Sequence, residues 1–152
     1  MDIVSIGGGP AGLYFSILMK LRDSRHRVRV IERNGADDTC VWGVVFSDET
    51  IGNLATSDPE TYQEITESFA HWDAIDIHYQ GEVLTSRGHG FSGLSRRRLL
   101  NILQARAQSL GVEIEYRREV ASAREVPEAD LVLAADGANS VIRQAHARCQ
   151  RG

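Results

Sequence analysis

Asp2-Ile3-Val4-Ser5-Ile6-Gly7-Gly8-Gly9-Pro10-Ala11-Gly12 follows the initial methionine, and its reading decides how the rest of the chain is organised. A short apolar run reads as a strand, the glycines as a tight turn, and the following residues as a helix. Gly7, Gly9 and Gly12 stand at the three glycine positions of the dinucleotide-binding fingerprint. The first permits the turn. The second leaves room for a pyrophosphate against the backbone, and the third lets the helix lie close on its strand. Pro10 suits a first helical position, where its missing N–H costs nothing. The free amides and positive dipole end of that helix then face the phosphates. Residues 28–31 form a second apolar run ending in Glu32-Arg33. Glu32 lies about 20 residues beyond the last glycine, where a carboxylate accepts hydrogen bonds from a ribose.

Outward from this unit, Leu13, Ile17, Leu18 and Leu21 recur at helical spacing, and Lys20 and Arg22 suit the helix C-terminus. Residues 34–39 read as a turn and 41–46 as a strand. Ser47 caps a further helix, and another starts at Pro59 and runs to about residue 70. Ile75, Ile77 and Tyr79 alternate with Asp76, His78 and Gln80, which predicts a half-buried strand. Gln80-Gly81 turns it into a hairpin with residues 82–86. Ser95 caps an amphipathic helix bearing Leu99, Ile102, Leu103 and Leu110, which Gly111 ends. Residues 112–116 read as a strand, 117–129 as an irregular connection and 131–135 as a buried strand. Asp136-Gly137-Ala138-Asn139-Ser140 turns into a short helix.

The chain has 152 residues, 42% hydrophobic and 25% charged, enough for one domain with a real core and hardly for two. A formal net charge of −4 offers no general attraction to nucleic acid or to an anionic membrane. Cys40 and Cys149 form no disulfide framework or metal-ligand spacing, in keeping with a reducing cytoplasm. The five histidines show no ligand spacing either, so no metal is expected. The apolar start lacks a basic region and carries glycines and an acid, unlike a signal peptide. No run approaches membrane-spanning length.

Three later constellations carry chemistry. Arg96-Arg97-Arg98 puts cations at the positive end of a helix, which an anion would make favourable; a phosphate contact through Arg96 is expected. The plain alternative is a solvated basic turn. Asp136-Gly137 stands at the carboxyl end of a strand, where ligands of open α/β sheets collect, although Asp-Gly is also ordinary in turns. Gly43 interrupts the apolar run Trp42-Gly43-Val44-Val45-Phe46, which suggests close approach of a backbone or a planar ligand. Trp42 and Phe46 themselves read as core.

With these residues laid out, the chain resembles the N-terminal part of the flavin-dependent aromatic monooxygenases, the p-hydroxybenzoate hydroxylase family. The resemblance rests on the first glycine turn with Glu32-Arg33, and on Ala135-Asp136-Gly137-Ala138-Asn139-Ser140-Val141-Ile142-Arg143. Gly43, and Arg96 followed by Leu99 and Leu103, add to it. Within the family the chain looks closest to hydroxylases of aryl-CoA thioesters, through residues 42–48, His71-Trp72-Asp73, Gly88-His89-Gly90-Phe91 and residues 98–106.

The resemblance implies an α/β, Rossmann-like FAD-binding domain over residues 1–143, with a parallel sheet and an inserted β-hairpin. Residues 144–152 are expected to be a basic tail. Gly7, Gly9, Ala11 and Gly12 would line the FAD pyrophosphate and Glu32 would hold the adenosine ribose. Arg33, Arg96, Gly43, Val44 and Val45 would make further FAD contacts, while Asp136 and Gly137 would serve FAD and the nicotinamide cofactor. The implied chemistry uses NAD(P)H and O₂ to hydroxylate a small aromatic substrate, here an aryl-CoA thioester. The cofactor does the hard step, so no catalytic side chain is assigned. The family's third FAD signature, a Gly-Asp pair, does not follow Asp136, so the chain is expected to be a truncated portion of a longer enzyme. Two alternatives are an FAD- or ADP-binding fragment without catalysis and an NAD-linked dehydrogenase domain.

Overall fold

The computed structural model describes residues 1–39 and 42–146. Cys40 and Val41, and the part of the expected tail from 147 onward with Cys149, lie outside the described residues. In chain order the elements are β1 (Asp2–Ile6), α1 (Pro10–Arg22), β2 (Arg27–Glu32), β3 (Gly43–Phe46), α2 (Asp48–Ser57) and α3 (Pro59–Glu67). There follow β4 (Ala70–Trp72), β5 (Ile75–Tyr79), β6 (Glu82–Ser86), β7 (Phe91–Ser95), α4 (Arg96–Ser109), β8 (Glu113–Tyr116), β9 (Leu131–Ala134) and α5 (Val141–Ala145). They divide into two compact units: Met1–Thr39 with Leu100–Gly152, and Cys40–Leu99.

The first unit holds a parallel sheet in the order β8-β2-β1-β9. Its central strands are buried on both faces, which is why β1 and β2 read as nearly continuous apolar runs. On one face Leu13 and Ile17 of α1 are fully buried. On the other, Val4, Ile6, Ile31, Val120, Val126 and Ile142 form a core cluster. Val120 and Val126 come from the stretch expected to be irregular; a short 3₁₀ turn, Ala123–Glu125, organises it. There the Ser122 hydroxyl and the Glu125 carboxylate cap each other's backbone.

Two expectations change here. Leu21 is 41% exposed: the buried residues of α1 are Gly12, Leu13, Ser16 and Ile17, and none lies in its last turn. β9 is not fully buried: among the described residues it pairs only with β1, and Leu131 and Ala134 at its ends are exposed.

The second unit holds an antiparallel sheet, β3-β7-β4, and the β5-β6 hairpin. Ser47 caps α2, accepting from the Thr50 amide, and the buried Asp58 caps α3 in the same way from Thr61. The helix expected to reach residue 70 stops at Glu67, and β4 begins three residues later. The hairpin turn has positive φ at both Gln80 (48°) and Gly81 (85°), as a two-residue turn matched to strand twist requires.

The alternation in residues 75–80 identifies the faces correctly and their burial wrongly. Ile75, Ile77, Tyr79 and Leu84 share a face by register, yet all four are exposed. Trp42, expected in the core, is 79% exposed. Alternation reports which side chains share a face; it does not report what covers that face.

Candidate functional site

The carboxyl ends of β1, β2 and β9 bring together residues far apart in sequence. Gly7 follows β1 with φ +110°, a conformation side chains rarely adopt. A Cβ there would lie 2.3 Å from the Ala135 carbonyl oxygen and 2.8 Å from the Asp136 nitrogen. The glycine turn and the Asp136-Gly137 turn are therefore in direct backbone contact, locked by Ala135 N–H donating to Ile6 O at 2.7 Å and Gly7 N–H donating to Ile31 O at 2.8 Å. A Cβ on Gly12 would stand 2.0 Å from Gly7 O and 2.7 Å from Ser5 Oγ, so α1 rests directly on β1.

Gly9 differs from both. It caps α1 with φ −73°, and no heavy atom lies within 4 Å of the place its Cβ would occupy. The helix starts with no side-chain cap, with Pro10 at its first position and with no acid in the first turn. Ala11 and Gly12 thus present amides at a dipole end whose own first turn carries no acid. An open cradle with these donors fits an anionic diphosphate.

Glu32 closes one side of this turn. Its Oε2 accepts from Gly8 N at 2.6 Å, while Oε1 accepts from the Asn34 amide and from Asn34 Nδ2, both at 2.8 Å. A carboxylate offers about four lone-pair sites, so capacity remains for a ribose hydroxyl. The Gly8 bond explains how the acid is aimed, and the spacing alone did not show it. Tyr116 stands nearby on β8; burial and then the charges of Glu32 and Asp37 push its phenol up. Arg33 is exposed beside Glu32.

Asp136 organises the second turn. Its Oδ2 accepts from Val141 N at 2.7 Å and Ile142 N at 3.4 Å, and its Oδ1 is buried without a partner among the described residues. Burial pushes the carboxyl upward, but hydrogen bonds from the Ser140 side chain and from backbone amides outweigh it and hold the carboxyl below its ordinary value of 3.8. The folded chain therefore releases this proton more readily than the unfolded chain. The stabilisation is present above about pH 4 and fades as pH falls through the depressed value. Asp136→Asn should cost about 1 kcal/mol near neutrality and flatten the acid limb of stability against pH, read by urea denaturation from pH 3 to 7. An unchanged acid limb would exclude the role.

Gly43, Val44, Val45 and Arg96 belong to the other unit. Gly43 is exposed on β3, and a Cβ there would meet only Leu94 O at an ordinary 3.6 Å, so no neighbouring backbone demands a glycine. Val45 is 56% exposed. The arginine run splits by role. Arg98 Nε donates to Ser68 Oγ at 3.1 Å and its Nη2 sits 3.5 Å from Glu64 Oε1, so it braces α3. Arg96 is half-buried, and its backbone N–H donates to Trp42 O at 3.0 Å.

At the opposite, amino-terminal edge of the parallel sheet a cavity of about 280 Å³ is lined by Asp2, Lys20, His26, Arg27 and Arg29, among others. Arg27 is paired with Asp2 and Arg29 with Glu128, and Lys20 donates to two carbonyls. No group of three metal-ligating side chains occurs among the described residues. Within them, no helix is long and apolar enough to cross a membrane.

Comparison with known proteins shows which chains this one is similar to. The sequence pattern of the FAD-NAD(P)-binding family matches residues 4–146. Salicyloyl-CoA 5-hydroxylase of Streptomyces sp is 39% identical over 143 residues, covering 94% of this chain and 28% of that protein. The 3-hydroxy-4-methyl-anthranilyl-[aryl-carrier protein] 5-monooxygenase of Streptosporangium sibiricum is 29% identical, covering 95% and 40%. Among solved structures, 2-methyl-3-hydroxypyridine-5-carboxylic acid oxygenase superposes with a TM-score of 0.79 at 22% identity, covering 95% of this chain and 42% of that one. CtdE in complex with FAD gives 0.75 at 21%, covering 95% and 40%. The chain thus spans between a quarter and two fifths of the length of these curated relatives.

Proposed function

The chain belongs to the FAD-NAD(P)-binding family, and from that premise we propose that it is the N-terminal cofactor-binding portion of a flavoprotein monooxygenase. The parent enzyme would hydroxylate a small aromatic substrate carried as a CoA thioester, using NAD(P)H and O₂, in the cytoplasm. The observation that carries the reading is the backbone contact between Gly7 and Ala135-Asp136, which brings the two signatures together. The resemblance between this chain and a salicyloyl-CoA hydroxylase supports the choice of substrate class.

Each residue has a defined task. The amides of Ala11 and Gly12, with the open backbone at Gly9, receive the FAD diphosphate. Glu32, oriented by Gly8 and Asn34, accepts from the adenosine ribose. Asp136 holds its turn in shape so that the Gly137 backbone lies beside the cofactor. Arg33, Arg96, Gly43, Val44 and Val45 make the further contacts that the family resemblance implies. When bound, FAD supplies the redox and oxygen chemistry. These residues bind it, orient it and contribute no nucleophile or general base.

A direct test uses this chain. FAD should bind with an enthalpy measurable by calorimetry, colour the protein yellow and raise its melting temperature, by the equivalent of about 2.7 kcal/mol at one hundred times Kd. Absence of binding to both FAD and ADP would overturn the reading. Tight NAD binding without flavin affinity would replace it with the dehydrogenase alternative.

A further inference from the structure

The stretches His71-Trp72-Asp73 and Gly88-His89-Gly90-Phe91 have no task in the cofactor site, yet the fold brings them together. Trp72 on β4 pairs with Phe91 on β7, and their rings stack at 5.5 Å between centroids and 27° between planes. His89 stacks on Phe91 at 5.3 Å and 25°. The result is a short ladder of three planar rings with Phe91 in the middle.

The ladder is braced. Ser86 Oγ and His89 Nε2 share a hydrogen bond of 2.7 Å, and Asp73 accepts from Gly88 N through its carboxylate and from His89 N through its carbonyl. Gly88 and Gly90 both take positive φ, 85° and 57°, so the loop is shaped to present His89 between them. Gly93 completes the arrangement: a Cβ there would lie 3.2 Å from Trp72 Cη2, so the indole lies over β7 where a side chain would otherwise stand.

Register fixes what shares this face. Trp72 pairs with Phe91, Ala70 and Val45 both pair with Gly93, and Gly43 pairs with Ser95, so all of them project from the same side of the β3-β7-β4 sheet. The opposite side carries Phe46, His71 and Leu94, with Phe46 and His71 both packed on Phe69. The ladder side is open: Trp72 is 40% and Val45 56% exposed, and Gly43 and His89 are exposed. One sheet face thus carries a braced aromatic stack beside the strand proposed to border the flavin.

We propose that Trp72, backed by Phe91 and His89 in one stack, forms the shelf on whose outer indole face the planar aromatic ring of the substrate stacks, next to the Gly43–Val45 strand. This rests on the reading of the chain as part of an aromatic hydroxylase and adds the residues that recognise the ring. An indole 40% exposed and already held within 27° of a phenyl ring offers a flat face to another ring at little ordering cost. The shelf recognises the aryl group and leaves the thioester carrier to other contacts.

The test uses the full chain with Trp42→Phe, which leaves Trp72 as its one indole. Benzoyl-CoA should quench Trp72 fluorescence saturably, while CoA alone at the same concentration should not. His89→Ala, in an exposed loop, and Phe91→Leu should each weaken benzoyl-CoA binding at least fivefold, with an unchanged far-ultraviolet spectrum. His89→Ala keeps the test decisive if Phe91→Leu fails to fold. Equal quenching by CoA, no quenching by either compound, or a His89→Ala dissociation constant equal to that of the parent overturns the shelf. FAD binding measured on the same sample separates the two readings. A chain that binds FAD and not benzoyl-CoA loses the shelf alone, and one that binds benzoyl-CoA and not FAD loses the cofactor reading alone.

Discussion

Gly12→Ala is expected to destabilise the chain by at least about 3 kcal/mol, the upper part of the range for forcing extra volume into a packed interior. The added methyl would stand 2.0 Å from the Gly7 carbonyl oxygen, far inside any tolerable contact. Backbone cannot swing aside as a flexible side chain can. Gly7 is held by its bond to Ile31 O and by its contact with Ala135, so α1 must move instead. That displacement would lift Leu13 and Ile17, both fully buried, off the sheet. For a domain of this size the loss corresponds to a fall of about 6–12 °C in melting temperature. A melting temperature within 2 °C of the parent chain would show that the helix does not rest on its strand as described.

Gly9→Ala should do the reverse, leaving the fold alone and removing the ligand. The space around its Cβ position is open and its φ of −73° suits any residue, so stability should stay within about 0.5 kcal/mol of the parent. On the proposed reading, the same open space is where the diphosphate approaches the backbone. A methyl there should weaken FAD binding by tenfold or more, about 1.4 kcal/mol, measured by calorimetric titration. Unchanged affinity in a fully folded Gly9→Ala chain would mean that the diphosphate lies elsewhere. Together the two substitutions separate glycines kept for packing from the glycine kept for the ligand, although all three sit in one motif.

The β1-turn-α1-β2 unit was legible because its information is local. The three fingerprint glycines, a proline and Glu32 stand within 33 residues, and the turn, the helix start and the Gly8–Glu32 bond all lie inside that stretch. The Asp136 turn was legible as a turn but ambiguous as a site, and its contact with Gly7 appears only in the folded chain. β4 and β7 were not foreseen. A three-residue strand shows no period, and Gly93 in the middle of β7 reads as a break until the Val44 carbonyl and the Trp72 ring are seen to need that space. The arginine run looked like one cluster. Pairing of Arg98 with Glu64 and Ser68 depends on where α3 comes to lie, which no spacing encodes.

Sequence alone determined the fold class and the backbone shape of the first turn, because backbone sterics at glycine and proline depend on few residues in one stretch. Tertiary structure alone decided which surfaces are covered. The same alternation that places Ile75, Ile77 and Tyr79 on one side left them in solvent, and the same apolar run that suggested a core left Trp42 outside. Burial is a property of what packs against a face. That information is carried by other parts of a folded chain and is absent from the face's own residues.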